Sequence, residues 1–106
     1  MSALGSEFKI NIHVEPIDGS TMDKYDFECF LYVYQNKGVT FKKGDTSVKI
    51  SEGGTDCIIC VSTPDAMKIG RGSVKLKFTA HVDDTDFPDK KRTEIVDGIC
   101  TGVTIT

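Results

Sequence analysis

Between Ser73 and Val82 the chain alternates without a break. Val74, Leu76, Phe78, Ala80 and Val82 fall on one side, and Ser73, Lys75, Lys77, Thr79 and His81 on the other. Successive side chains of a strand point to opposite faces, so this pattern specifies a long strand with one face on a core and one in water. The strand runs directly into an acidic loop in which Phe87-Pro88 sits between Asp86 and Asp89.

The rest of the chain supplies strands of the same kind. Residues 8–16 place Phe8, Ile10, Ile12 and Val14 opposite Lys9, Asn11, His13 and Glu15. A turn at Ile17-Asp18-Gly19-Ser20 leads to a second strand over residues 25–34, with Tyr25, Phe27, Cys29, Leu31 and Val33 in register. Its other face changes from Asp26 and Glu28 to the aromatic stripe Phe30, Tyr32 and Tyr34. Gln35-Asn36-Lys37-Gly38 reads as a hairpin loop before a short strand at residues 39–42, and residues 47–51 form another with Val48 and Ile50 inward. The apolar run Cys57-Ile58-Ile59-Cys60-Val61 predicts a central strand covered on both faces.

One helix start is present. Ser62 or Thr63 can cap it, Pro64 suits its first position, Asp65 lies in its first turn, and Gly70 and Gly72 stop it, which predicts a short helical turn near residues 63–68. The final segment brings Val103 and Ile105 inward and Thr104 outward, with Gly98 and Gly102 marking a bulge or bend. About seven short strands with a turn signal every ~8–12 residues predict an all-β fold, an antiparallel two-sheet sandwich of immunoglobulin-like type. The chain has no Trp, so the likeness is one of architecture alone.

At 106 residues the chain is one domain with one core, residues 8–106, preceded by a flexible arm over residues 1–7. A net charge of −3 creates no field that would gather nucleic acid, which excludes a general DNA or RNA binder. No run approaches the roughly 18–20 apolar residues of a membrane span, and the N-terminus lacks the layout of a secretory signal, so synthesis and folding in cytoplasm are expected. Cys29, Cys57, Cys60 and Cys100 are then expected as free thiols. Cys57 and Cys60 have C-x-x-C spacing, but on one strand they face opposite sides and cannot share an ion.

Asp83, Asp84, Asp86 and Asp89 are the one candidate metal site, an oxygen-rich loop of the kind that can hold Ca²⁺. The competing account is structural: loop amides and Lys90, Lys91 and Arg92 satisfy the same carboxylates. His13 and His81 lie on polar faces, and no Ser or Cys is spaced to meet either one, so the sequence predicts neither an enzyme nor a cofactor. Lys68, Arg71, Lys75 and Lys77 read as a solvated face. Phe30, Tyr32 and Tyr34 are either a second buried surface or a partner-binding patch.

The segment from Gly70-x-Gly72 through Asp86-Phe87-Pro88-Asp89-x-x-Arg92-x-Glu94 to Thr101-Gly102-Val103 resembles short β-sandwich proteins from the structural-gene regions of tailed bacteriophages, including crAss-like phages. That pattern more often has glycine after its second aspartate, where this chain has Lys90. The resemblance covers roughly the last third of the chain. It implies a non-enzymatic virion protein made in host cytoplasm: a capsid auxiliary or decoration protein, a head-fibre element, or a tail or baseplate adaptor. Its expected partners are other virion proteins, with homo-oligomers possible. The expected contact residues are Phe30, Tyr32 and Tyr34, with Met1 and Leu4 from the arm. The rival reading is a non-viral interaction or carbohydrate-binding module of the same architecture.

Overall fold

The computed structural model describes residues 3–106. Seven strands form two antiparallel sheets: β1 (Phe8–His13), β2 (Asp26–Tyr34), β3 (Lys37–Lys42), β4 (Val48–Ile50), β5 (Asp56–Val61), β6 (Gly72–Asp83) and β7 (Lys91–Ile105). One sheet has the order β1-β5-β4 and the other β3-β2-β6-β7. These orders match B-E-D and C′-C-F-G of an immunoglobulin-like sandwich, with β1 in the place of strand B and no strand in the place of A. The all-β, two-sheet prediction holds.

The alternation read from the sequence sets the core. Ile10, Ile12, Phe27, Cys29, Leu31, Ile59, Val61, Val74, Leu76, Phe78 and Ile105 are buried between the sheets, with Phe8, Val48 and Ile50 partly buried against them. Phe27 and Phe78 stack across the β2–β6 pair with ring centroids 5.5 Å apart. The helix α1 spans Thr63–Ile69 from Ser62 as N-cap, ends at Gly70 with φ 89°, and buries Ala66 and Ile69.

Both predicted glycine bends fall in β7. Asp97 and Gly98 crowd the stretch between the pairs Leu76↔Ile99 and Phe78↔Val96, while Gly102 lies between Ser73↔Thr104 and Lys75↔Cys100. Each is a bulge with its glycine at positive φ, 74° and 81°, where a side chain would meet its own backbone.

Two expectations need correcting, on the first strand and on β5, and Met22 adds a buried residue that no expectation covered. The first strand ends at His13 instead of Pro16, although the Val14 N–H still donates to Thr55 O at 2.8 Å. Val33 is partly buried against the core, as its alternation predicts, while Tyr32 on the other face of β2 is buried against Phe30 with its hydroxyl on Asp97 of β7. β5 is central in its sheet, but Ile58 is 38% exposed, since a two-layer sandwich covers only one face of each sheet. Met22, unremarked in the polar stretch after the first turn, is fully buried by a single 3₁₀ turn over Met22–Lys24.

The arm also differs from expectation. Within residues 3–7, Leu4 N–H donates to Thr106 O at 2.9 Å, the Thr63 hydroxyl donates to Gly5 O at 2.7 Å, and Leu4 packs on the core. An apolar residue beside an open end of the sandwich finds its burial within the same domain. Met1 lies outside the described residues.

Candidate interaction surface

The aromatic stripe is mostly internal to its own sheet. Phe30 and Tyr32 stack with centroids 5.3 Å apart, and a Cβ on Gly38 would sit 2.7 Å from Phe30 Cζ, so glycine on β3 is what lets the Phe30 ring lie flat. Tyr32 is 4% exposed, and its hydroxyl donates to Asp97 Oδ1 at 2.7 Å. Of the three expected contact aromatics, only Tyr34 is largely exposed. Leu4 is partly buried as described, so the predicted interface of stripe and arm is largely spent on the domain's own packing.

The acidic loop closes the β6–β7 hairpin, and of its four candidate carboxylates those of Asp83, Asp84 and Asp89 have partners while, among the described residues, Asp86 engages only through its amide. Asp83 pairs with Lys91 Nζ at 2.8 Å, Asp84 Oδ1 accepts the Asp86 amide at 3.0 Å, and Asp89 accepts the Lys91 amide at 3.1 Å. Arg92 joins the loop to the rest of the molecule. Its guanidinium meets Asp84 at 2.8 Å, Asp18 at 2.7 Å and Glu94 at 3.0 Å. Asp18 belongs to the turn after β1, so one cation fastens two distant turns together. The carboxylates do not converge on a point: among the described residues no three His, Cys, Asp or Glu side chains group as metal ligands.

Lys90 adopts φ 63°, the left-handed conformation that glycine tolerates best. Lysine stands there where glycine would be unstrained.

The histidines meet neighbours that the sequence spacing did not disclose. His13 Nδ1 lies 2.8 Å from Asp56 and Nε2 2.9 Å from Glu15; hydrogen bonds to these two carboxylates, Asp56 first, raise its pKa. His81 Nδ1 is 3.1 Å from the Thr93 hydroxyl, while its Nε2 is 3.8 Å from Glu28. Thr, His and Glu stand in a row there, but 3.8 Å is too long for the hydrogen bond that would orient the ring.

The surface that sequence reasoning missed lies on the side where β1 and β7 end their sheets. Among the described residues neither strand has a neighbouring strand on that side, and the gap between them is a groove of about 310 Å³. Ile10 and Ile12 form one wall, Val96 and Ile99 the other, and Leu76 and Phe78 line the floor. Val96 is 54% exposed on its wall, and Ile95, paired with Thr79 on the other face of β7, is 56% exposed. Consecutive apolar residues in an alternating strand put at least one outward, and that was the available signal. The vacancy itself comes from topology, because the slot is the one strand A fills beside B in an immunoglobulin-like sandwich. Among family models, curated proteins and solved structures, nothing matches this chain.

Proposed function

We propose that the protein is a non-enzymatic structural component of a tailed-phage virion, working by protein–protein contact as a capsid auxiliary, decoration or head-fibre element. The observation that carries the contact reading is the open side of the sandwich, with Val96 exposed on the wall of a groove floored by Leu76 and Phe78. Apolar area of this kind yields roughly 25 cal/mol per Å² when removed from water, and nothing within the described residues covers it. The resemblance of the β6–β7 segment supplies the virion context, and the left-handed Lys90 supports it, since the same loop geometry suits the glycine of that pattern. A tail or baseplate adaptor is the same contact at another position on the particle.

Carbohydrate binding has less support. A sugar platform needs exposed aromatic faces, and Tyr32 is buried while Phe30 is stacked against it.

The test is mass spectrometry of purified virions from a phage carrying the gene, with Val96→Ser and Ile99→Ser introduced singly. The expected result is stoichiometric protein in parent particles and reduced occupancy in both variants, each still folded by circular dichroism. Absence from purified parent particles would exclude the virion assignment. Parental occupancy of both variants would exclude the groove as its attachment surface.

A further inference from the structure

Four strands end the two sheets, and three of them are blunted against pairing with another chain. β4 has only three residues. β3 carries Lys37 and Lys42 at its ends with Gly38 between. β7 is broken by two bulges. Short length, edge lysines and bulges are the devices that keep sheet edges from adding strands. β1 lacks both brevity and bulge: its six residues pair with β5 in unbroken register.

The Val14 N–H donating to Thr55 O sets the parity of this strand. Phe8, Ile10, Ile12 and Val14 turn their peptide groups toward β5, so those of Lys9, Asn11, His13 and Glu15 point out of the sheet. Among the described residues these outward groups have no backbone partner. They form a continuous strand edge beside the apolar groove.

We propose that β1 pairs antiparallel with β1 of a second copy of this chain, about a twofold axis at Ile12, and that this pairing closes the open side. The proposal rests on reading that side as a contact surface and names its occupant. Charge selects the register. Centred on Ile12, the outward-facing pairs are Asn11 with His13 and Lys9 with Glu15 of the other copy, so a cation and an anion stand opposite each other twice by symmetry. On the inward face Ile10 meets Val14, and Ile12 meets its own equivalent. A register centred on Asn11 instead sets Glu7 against Glu15 and Lys9 against His13, like charges in both cases when His13 is protonated. The axis is perpendicular to the sheet, so the inward faces of both copies lie on one side of the joined sheet. The two grooves then approach each other, and Val96 and Ile99 of each copy gain apolar cover.

Sedimentation equilibrium on the full chain tests this, over micromolar to millimolar concentrations. The parent is expected to associate as a dimer. Lys9→Glu and Glu15→Lys singly should each weaken association about tenfold or more, because each sets like charges opposite twice. The double variant restores opposite charges and should return the constant to within about threefold of the parent. Asn11→Pro removes an outward N–H without touching the ladder to β5, and should abolish the dimer while circular dichroism stays that of the parent. A parent that is monomeric throughout, or a dimer indifferent to the single charge reversals and to Asn11→Pro, overturns the proposal. Particle incorporation of the groove variants is read separately, so a monomeric chain whose incorporation depends on Val96 would sink the dimer and leave the contact reading standing.

Discussion

The Tyr32 hydroxyl donates to Asp97 Oδ1 at 2.7 Å, and the same oxygen accepts the Gly98 N–H at 2.7 Å. One carboxylate therefore ties the central strand β2 to the first bulge of β7. These bonds, Tyr32 first, hold the Asp97 carboxyl below its ordinary value of 3.8. The folded-state pKa is depressed, so the stabilisation is present above the unfolded value and is lost as pH falls through the folded one. Asp97→Asn is expected to lower the melting temperature at neutral pH. The gap from the parent should close as pH drops below 3.8, a comparison that thermal melts across an acid series would make directly.

Lys90 at φ 63° is one of two non-glycine residues in the left-handed region among the described residues. That conformation costs an L-residue about 1–2 kcal/mol, and part of the relief on substitution is returned as the greater chain entropy of glycine in the unfolded state. Lys90→Gly is expected to stabilise the protein by about 0.5–1 kcal/mol. Urea unfolding would register this as a higher midpoint at unchanged slope. Lys90→Val, β-branched at the same φ, should move the midpoint the other way.

The four thiols sit in unlike surroundings, and their chemistry should follow. Burial pushes Cys29 up to about 12 and Cys57 up to about 11. Cys100 is exposed, and Cys60 is half-buried on the opposite face of β5 from Cys57. The thiolate is the reactive form. In native protein at mildly alkaline pH, Ellman's reagent is expected to modify Cys100 quickly and Cys60 more slowly, leaving Cys29 and Cys57 silent until denaturant is added. Rapid modification of all four without denaturant would contradict the packing described.

Period-two alternation made β1, β2, β6 and most of the core legible, because one buried face leaves a mark on every second residue. Glycine placed both β7 bulges for a similar reason: a positive φ selects for it locally. What stayed hidden depended on distance. Tyr32 is buried on the outer face by Phe30 and by Asp97 of β7, which no residue of β2 announces, and Met22 is buried by a fold-back of polar neighbours. Ile58 looked like the second buried face of a central strand, yet only a third layer would cover it. The groove between β1 and β7 belongs to no single segment. It exists because these strands end different sheets on the same side, a fact of topology and not of pattern.

Arg92 bears on whether the acidic loop takes an ion. Its guanidinium occupies Asp84 and reaches Asp18 and Glu94, while Lys91 occupies Asp83. Calcium would need about six to eight oxygen ligands drawn to one point, and it would have to displace both cations first. Calcium is therefore expected to leave the parent's melting temperature unchanged. Arg92→Met should loosen the two turns that Arg92 fastens, seen as faster amide exchange over residues 84–90 and 17–20 with little change in β2 and β6, whose ladders do not depend on it. A parent that gains thermal stability with added calcium, or an Arg92→Met protein whose two turns exchange as slowly as before, would contradict this account. In the first case the aspartates would be ion ligands, and in the second the turns would be held by their own backbone bonds, such as Asp84 N–H to Lys90 O at 3.0 Å.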